Sequence, residues 1–165
     1  MTLTGSSHPT SIGFAAALCG ALALPASAQV TEEILQAEKD WFRAKNHFLC
    51  SSISFARADG ETGVRHRDAG LALGRPIVED ALTQGVTPQT LMPHLRAEGQ
   101  ILATSPDTGF ALGRIYQDYE LLFARRFLDH MEEAAGLDED REGAAEEYLA
   151  ASYSDLGCED LERAD

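Results

Sequence analysis

Hydrophobic positions recur along the chain with a spacing near 3.6 residues, and nowhere do they alternate with polar ones. Ile34, Ala37, Trp41, Phe48 and Phe55 fall near one line at 100° per residue, with Leu35, Phe42 and Leu49 beside them. Thr31 as cap, and Glu32 and Glu33 near the positive end, predict a helix from Thr31 to about Arg57, ending at Asp59-Gly60. Residues 60–75 are richer in Gly and Arg. Short helices are expected around Ala69–Leu73 and over Pro76–Gln84, the second stopped by Gly85. Thr87-Pro88 opens a further segment to about Ser105 that Pro93 should kink or split.

Asp107 caps the strongest helical pattern, which ends near Gly136. Leu112, Ile115, Tyr116, Tyr119, Leu122, Phe123 and Phe127 form one broad apolar face. Phe110, Leu121 and Leu128 lie about 160–180° away on the helical wheel, which places this helix at the centre of a bundle or gives it a second face for a partner. A last helix is expected from about Gly143 to Leu156, stopped by Gly157. The expected fold is all-α, a small bundle of about five helices.

The first 28 residues read as an address. Ile12–Leu24 is an unbroken apolar run of 13 residues, too short to span a bilayer, and Pro25 ends it. Ala26-Ser27-Ala28 supplies the small-residue pattern of a secretory signal cleaved after Ala28, although no Lys or Arg precedes the run. Residues 29–165 then form a single domain in the periplasm or outside the cell. Cys19 leaves with the signal, so Cys50 and Cys158 remain, and an even pair in an exported chain predicts one interhelix disulfide.

The 165 residues include 27 acidic and 13 basic ones, for a net charge of −14. That balance argues against a nucleic-acid partner and against docking on anionic lipid after cleavage. The charge is uneven: residues 29–97 hold 9 acids and 8 bases, whereas residues 129–165 hold 14 acids and 2 bases. The acidic region is either a solubilising face or a docking surface for a protein with a basic surface.

Within that region Asp138, Asp140, Glu142 and Glu146 occupy positions 1, 3, 5 and 9 of a calcium-loop pattern, with Gly143 at the turn position. The twelfth position, where a bidentate carboxylate belongs, is Leu149. A weak metal site and an acidic turn capped by Asp138 or Asp140 both fit these residues.

No other motif carries chemistry. Asp107-Thr108-Gly109 spells an aspartic-protease triplet but opens a helix, and a helix cap accounts for its Asp. His66-Arg67-Asp68 matches the start of a kinase catalytic loop without the remaining elements. His47 and His94 stand isolated and read as surface or rim positions. With no nucleophile–base pair, metal set or cofactor fingerprint, the expectation is a protein-binding module that is not an enzyme and holds no cofactor. An envelope-stress or weak calcium-binding role for the acidic region is the alternative.

Phe48-Leu49-Cys50, then Asp59-Gly60, then Gly85-Val86-Thr87-Pro88-Gln89 resembles the periplasmic immunity proteins that neutralise type VI secretion amidase effectors. The likeness spans about 40 residues. It implies an exported, disulfide-bonded helical inhibitor of a secreted effector. The chain departs from that pattern in lacking an early second cysteine and in its longer acidic C-terminal part.

Overall fold

The structure, a computed structural model, describes residues 26–86, 92–136 and 140–164. Among these are six α-helices and one 3-10 turn, with no strand: α1 (Ala26–Ala56), α2 (Gly60–Gln84), the turn Pro93–Leu95, α3 (Gly99–Thr104), α4 (Thr108–Gly136), α5 (Arg141–Asp155) and α6 (Cys158–Ala164). The all-α expectation holds. Thr87-Pro88, Asp138 and the run Ile12–Leu24 lie outside the described residues.

α1 and α2 form an antiparallel pair, joined by a tight turn at Arg57–Asp59. Their contacts run in opposite chain directions: a Cβ on Gly63 would meet Phe55, one on Gly70 would meet Phe48 and Ala44, and one on Gly74 would meet Leu112, Trp41 and Ala44. The missing side chains let the two backbones approach closely, so glycines that read as breakers instead mark a helix–helix seam. This corrects the expectation of two short helices over 69–84. α2 is one continuous helix of 25 residues with Pro76 inside it. Buried Ile77 and Val78 hold the turn that Pro76 weakens by withholding an N–H.

The start of α1 also differs from expectation. The helix passes through Thr31 without a break and reaches back to Ala26. Asp59 caps α2 by accepting a hydrogen bond from the Thr62 N–H at 3.1 Å. That bond, more than the nearby Arg65 and Arg57, holds the Asp59 carboxyl below its ordinary pKa. A depressed folded pKa stabilises the fold above the unfolded value of 3.8 and loses that contribution as pH falls through the folded value. Asp59→Ala is therefore expected to lower Tm at neutral pH, with the gap to wild type closing below about pH 4. Thermal melts between pH 3 and 7 check this, and a pH-independent gap contradicts it.

Two apolar clusters make up the core. The first joins Trp41, Ala44 and Phe48 of α1 to Ile77 and Val78 of α2, Leu95 and Leu102, and Ala111, Leu112 and Ile115 of α4. The second joins Cys50 and Ile53 of α1 to Phe123 of α4, Leu149 and Tyr153 of α5, and Cys158 of α6. α1 and α4 thus run through both clusters. The Phe123, Phe127 and Tyr148 rings meet at 5.7–6.4 Å between centroids, and His130 stacks on Tyr148 at 4.6 Å, fastening α5 to α4.

Pro93 opens the 3-10 turn and the short α3 follows it, while most of the stretch before Pro93, from Thr87, lies outside the described residues. Asp107 caps α4 by accepting from the Phe110 N–H at 2.8 Å. Gly157, at φ +64°, ends α5. Beyond it lies α6, seven residues that the sequence reading did not include. Cys50 and Cys158 are bonded, with Cα atoms 5.7 Å apart, so α6 is fixed to the C-terminal part of α1.

Candidate functional site

The break between the 3-10 turn and α3 sets what faces α4. Glu98 stands at the N-cap position of α3, yet its side chain makes no capping bond. It turns to α4 instead, where the Tyr119 hydroxyl donates to Glu98 Oε1 at 2.9 Å. Glu98 is only 4% exposed, and its Oε2 has no hydrogen-bond partner among the described residues. Burial, and then the adjoining Glu98 carboxyl, push the Tyr119 phenol well above its usual pKa. One turn before Glu98, His94 is buried with Nε2 unpartnered among the described residues. Burial pushes its pKa down, against the opposing pull of Glu38. Trp41 Nε1 is a third buried polar atom without a partner among these residues.

Glu98 and Tyr119 line a cavity of about 400 Å³ whose other walls include Ile101, Ile115, Leu121 and Leu122, with Asp118 and Arg125 also on its lining. A second hollow of about 310 Å³ shares Ala97, Ile101 and Asp118 with the first and continues to Phe110 and Arg114. The two form one groove between α3 and α4. Its α4 side follows a helical stripe: Phe110, Arg114, Asp118, Leu121, Leu122, Arg125.

The second apolar side of α4 thus faces outward. Phe110, Leu121 and Leu128 are 48%, 50% and 60% exposed, which overturns a place for α4 buried on all sides in the bundle. Phe110 and Leu121 line the groove, whereas Leu128 lies farther along the helix and outside it. Leu122, assigned from its spacing to the core face, is exposed and lines the groove too.

A largely buried polar chain joins α1, α2, α5 and α6. His47 Nδ1 and His66 Nδ1 lie 3.0 Å apart, so one ring donates to the other. His66 Nε2 is 3.4 Å from the Tyr153 hydroxyl and 3.5 Å from Glu162 Oε1, and Tyr153 donates to Glu162. The Arg57 guanidinium sits 4.8 Å above the Tyr153 ring centroid. Burial, followed by the bond to Glu162, pushes the Tyr153 phenol up to about 12. His47 and His94, expected at the surface or a rim, are both buried, and this is a correction. His47 lies one turn from Ala44 and Ser51 on the buried side of α1, which was the available signal. Ser51 Oγ donates to the Gly63 carbonyl at 2.8 Å, so its proton serves the α1–α2 seam and not a base.

The acidic residues are arranged as a helix start. Asp140 accepts from the Glu142 N–H at 3.2 Å and caps α5, taking the capping role read for it. Glu142 and Glu146 lie one turn apart on exposed helix, and Leu149 is buried in the second cluster. Among the described residues no group of three or more His, Cys, Asp or Glu side chains is disposed to hold a metal ion. No helix among them is long and apolar enough to cross a membrane.

Compared with family models, curated proteins and solved structures, the chain matches none of them.

Proposed function

We propose that this chain is an exported, non-enzymatic binding module that holds another protein in the groove between α3 and α4. The observation that carries the reading is the outward apolar stripe of α4, where Phe110, Leu121 and Leu122 stay exposed beside a walled groove. Solvent-facing apolar side chains clustered along a concavity gain free energy by being covered, and a groove presents them to a convex segment of a partner. A signal cleaved after Ala28 and the Cys50–Cys158 bond fit an oxidising compartment, the periplasm or beyond. The excess of acids in residues 129–165 favours a partner with a basic surface, because complementary charge speeds encounter.

Capture from periplasmic extract with wild type and with Phe110→Ser/Leu121→Asp is the test. Both positions are exposed, so Tm is expected to stay within a few degrees of wild type. The partner held stoichiometrically by wild type is expected to be lost at least tenfold from the double variant. Equal recovery by the two proteins sinks the groove as the interface.

A further inference from the structure

We propose that Glu98 is the anchor of the groove and takes a lysine ammonium presented by an apolar segment of the bound protein. This rests on the reading of the groove as a protein-binding surface. Glu98 is nine-tenths buried and lines the cavity, with one carboxyl oxygen bonded to Tyr119 and the other without a partner among the described residues. A buried carboxyl oxygen left unpaired is costly, and a cation seated in the cavity removes that cost. Only one oxygen is unpaired among the described residues, since Oε1 holds the Tyr119 hydroxyl. A single unpaired oxygen suits the point charge of an ammonium better than the two-pronged fork of a guanidinium.

The remaining walls suit the rest of such a side chain. Ile101 and Leu122 offer apolar surface along which a methylene stem lies while its charged head reaches Glu98. A cavity of about 400 Å³ is larger than one lysine side chain, which leaves room for a flanking apolar residue against Leu121. The chain's net charge of −14 favours a cationic occupant over an anionic one. Arg125 lines the same cavity and competes with an incoming cation, while Asp118 on the same stripe offsets it.

The experiment is an NMR titration of the full chain with acetyl-Leu-Lys-Leu-amide, its norleucine and arginine analogues, and hexylamine. The lysine peptide is expected to shift the amides of Ala97, Ile101, Tyr119 and Leu122, with a Kd at least tenfold below that of the norleucine peptide. Glu98→Gln keeps an acceptor for Tyr119 and is expected to erase that tenfold difference. Arg125→Gln is expected to preserve or strengthen lysine binding. Equal binding of the lysine and norleucine peptides in the groove overturns the anchor and leaves the groove standing. Shifts confined to residues 129–165 overturn both. Tighter binding of the arginine analogue overturns the choice of ammonium, and hexylamine matching the lysine peptide overturns a protein segment as the source. Weaker lysine binding by Arg125→Gln likewise counts against the proposal.

Discussion

Cys50→Ser is expected to lower Tm by on the order of 10–20 °C. The bond joins positions 108 residues apart, and closing so long a loop in the unfolded chain corresponds to on the order of 4–5 kcal/mol. The folded state adds to this, because both cysteines are fully buried in the second cluster beside Ile53, Phe123, Leu149 and Tyr153. α6 has only seven residues, too few to persist as a helix by itself. Released from α1, it takes Glu162 away from Tyr153 and His66. Loss of amide protection in Cys158–Ala164 is therefore expected before α5 or α1 open, as is a fall in the Tyr153 phenol from its raised pKa of about 12 as the Glu162 bond is lost. Hydrogen exchange and ultraviolet pH titration of the variant read these two effects. A Tm change under about 3 °C, with α6 still protected, means that noncovalent contacts already close the loop and refutes this account.

What the sequence made legible was local, and what it hid was mostly the product of tertiary contact. Asp107, Pro93 and Gly157 act at once on their neighbours' backbones, and each does in the structure what its chemistry implies. The Cys50–Cys158 pairing followed from compartment and count and not from proximity. α2 was misread because Gly70, Gly74 and Pro76 weaken an isolated helix, whereas here the glycines admit α1 and the burial of Ile77 and Val78 outweighs the local penalty. The His47–His66 pair was invisible for a similar reason. The two rings are 19 residues apart and meet only because α1 and α2 run antiparallel. Glu98 gave no signal either, since an acid before a glycine resembles any solvated turn until Tyr119 arrives from 21 residues away. The two-sided apolar pattern of α4 was plain, but only the arrangement of the neighbouring helices shows that Phe110, Leu121 and Leu128 stay uncovered.

The α1–α2 seam yields the second large effect, because there two opposing consequences of the same exchange can be separated. In an exposed helix interior, Gly→Ala stabilises by about 0.5–1 kcal/mol through backbone entropy. Gly113 of α4 has nothing within 4 Å of where its Cβ would lie, so Gly113→Ala is expected to raise stability by that amount. Gly70 sits in an equally regular helix but has no space. A Cβ there would lie 2.6 Å and 2.7 Å from two ring carbons of Phe48 and 3.0 Å from the Ala44 carbonyl oxygen. The Phe48 ring has little freedom to yield, being fully buried and held edge-on to Tyr116 at 5.5 Å. The Ala44 oxygen belongs to backbone and moves only with α1. Overpacking of this kind costs about 1–3 kcal/mol, which exceeds the helical gain, so Gly70→Ala is expected to destabilise. Gly70→Val brings two more methyl groups to the same contact and is expected to cost more than about 3 kcal/mol. Urea unfolding of the three variants measures each sign. If Gly70→Ala proves as stabilising as Gly113→Ala, the helices are not in close contact at this level and the seam is drawn too tightly.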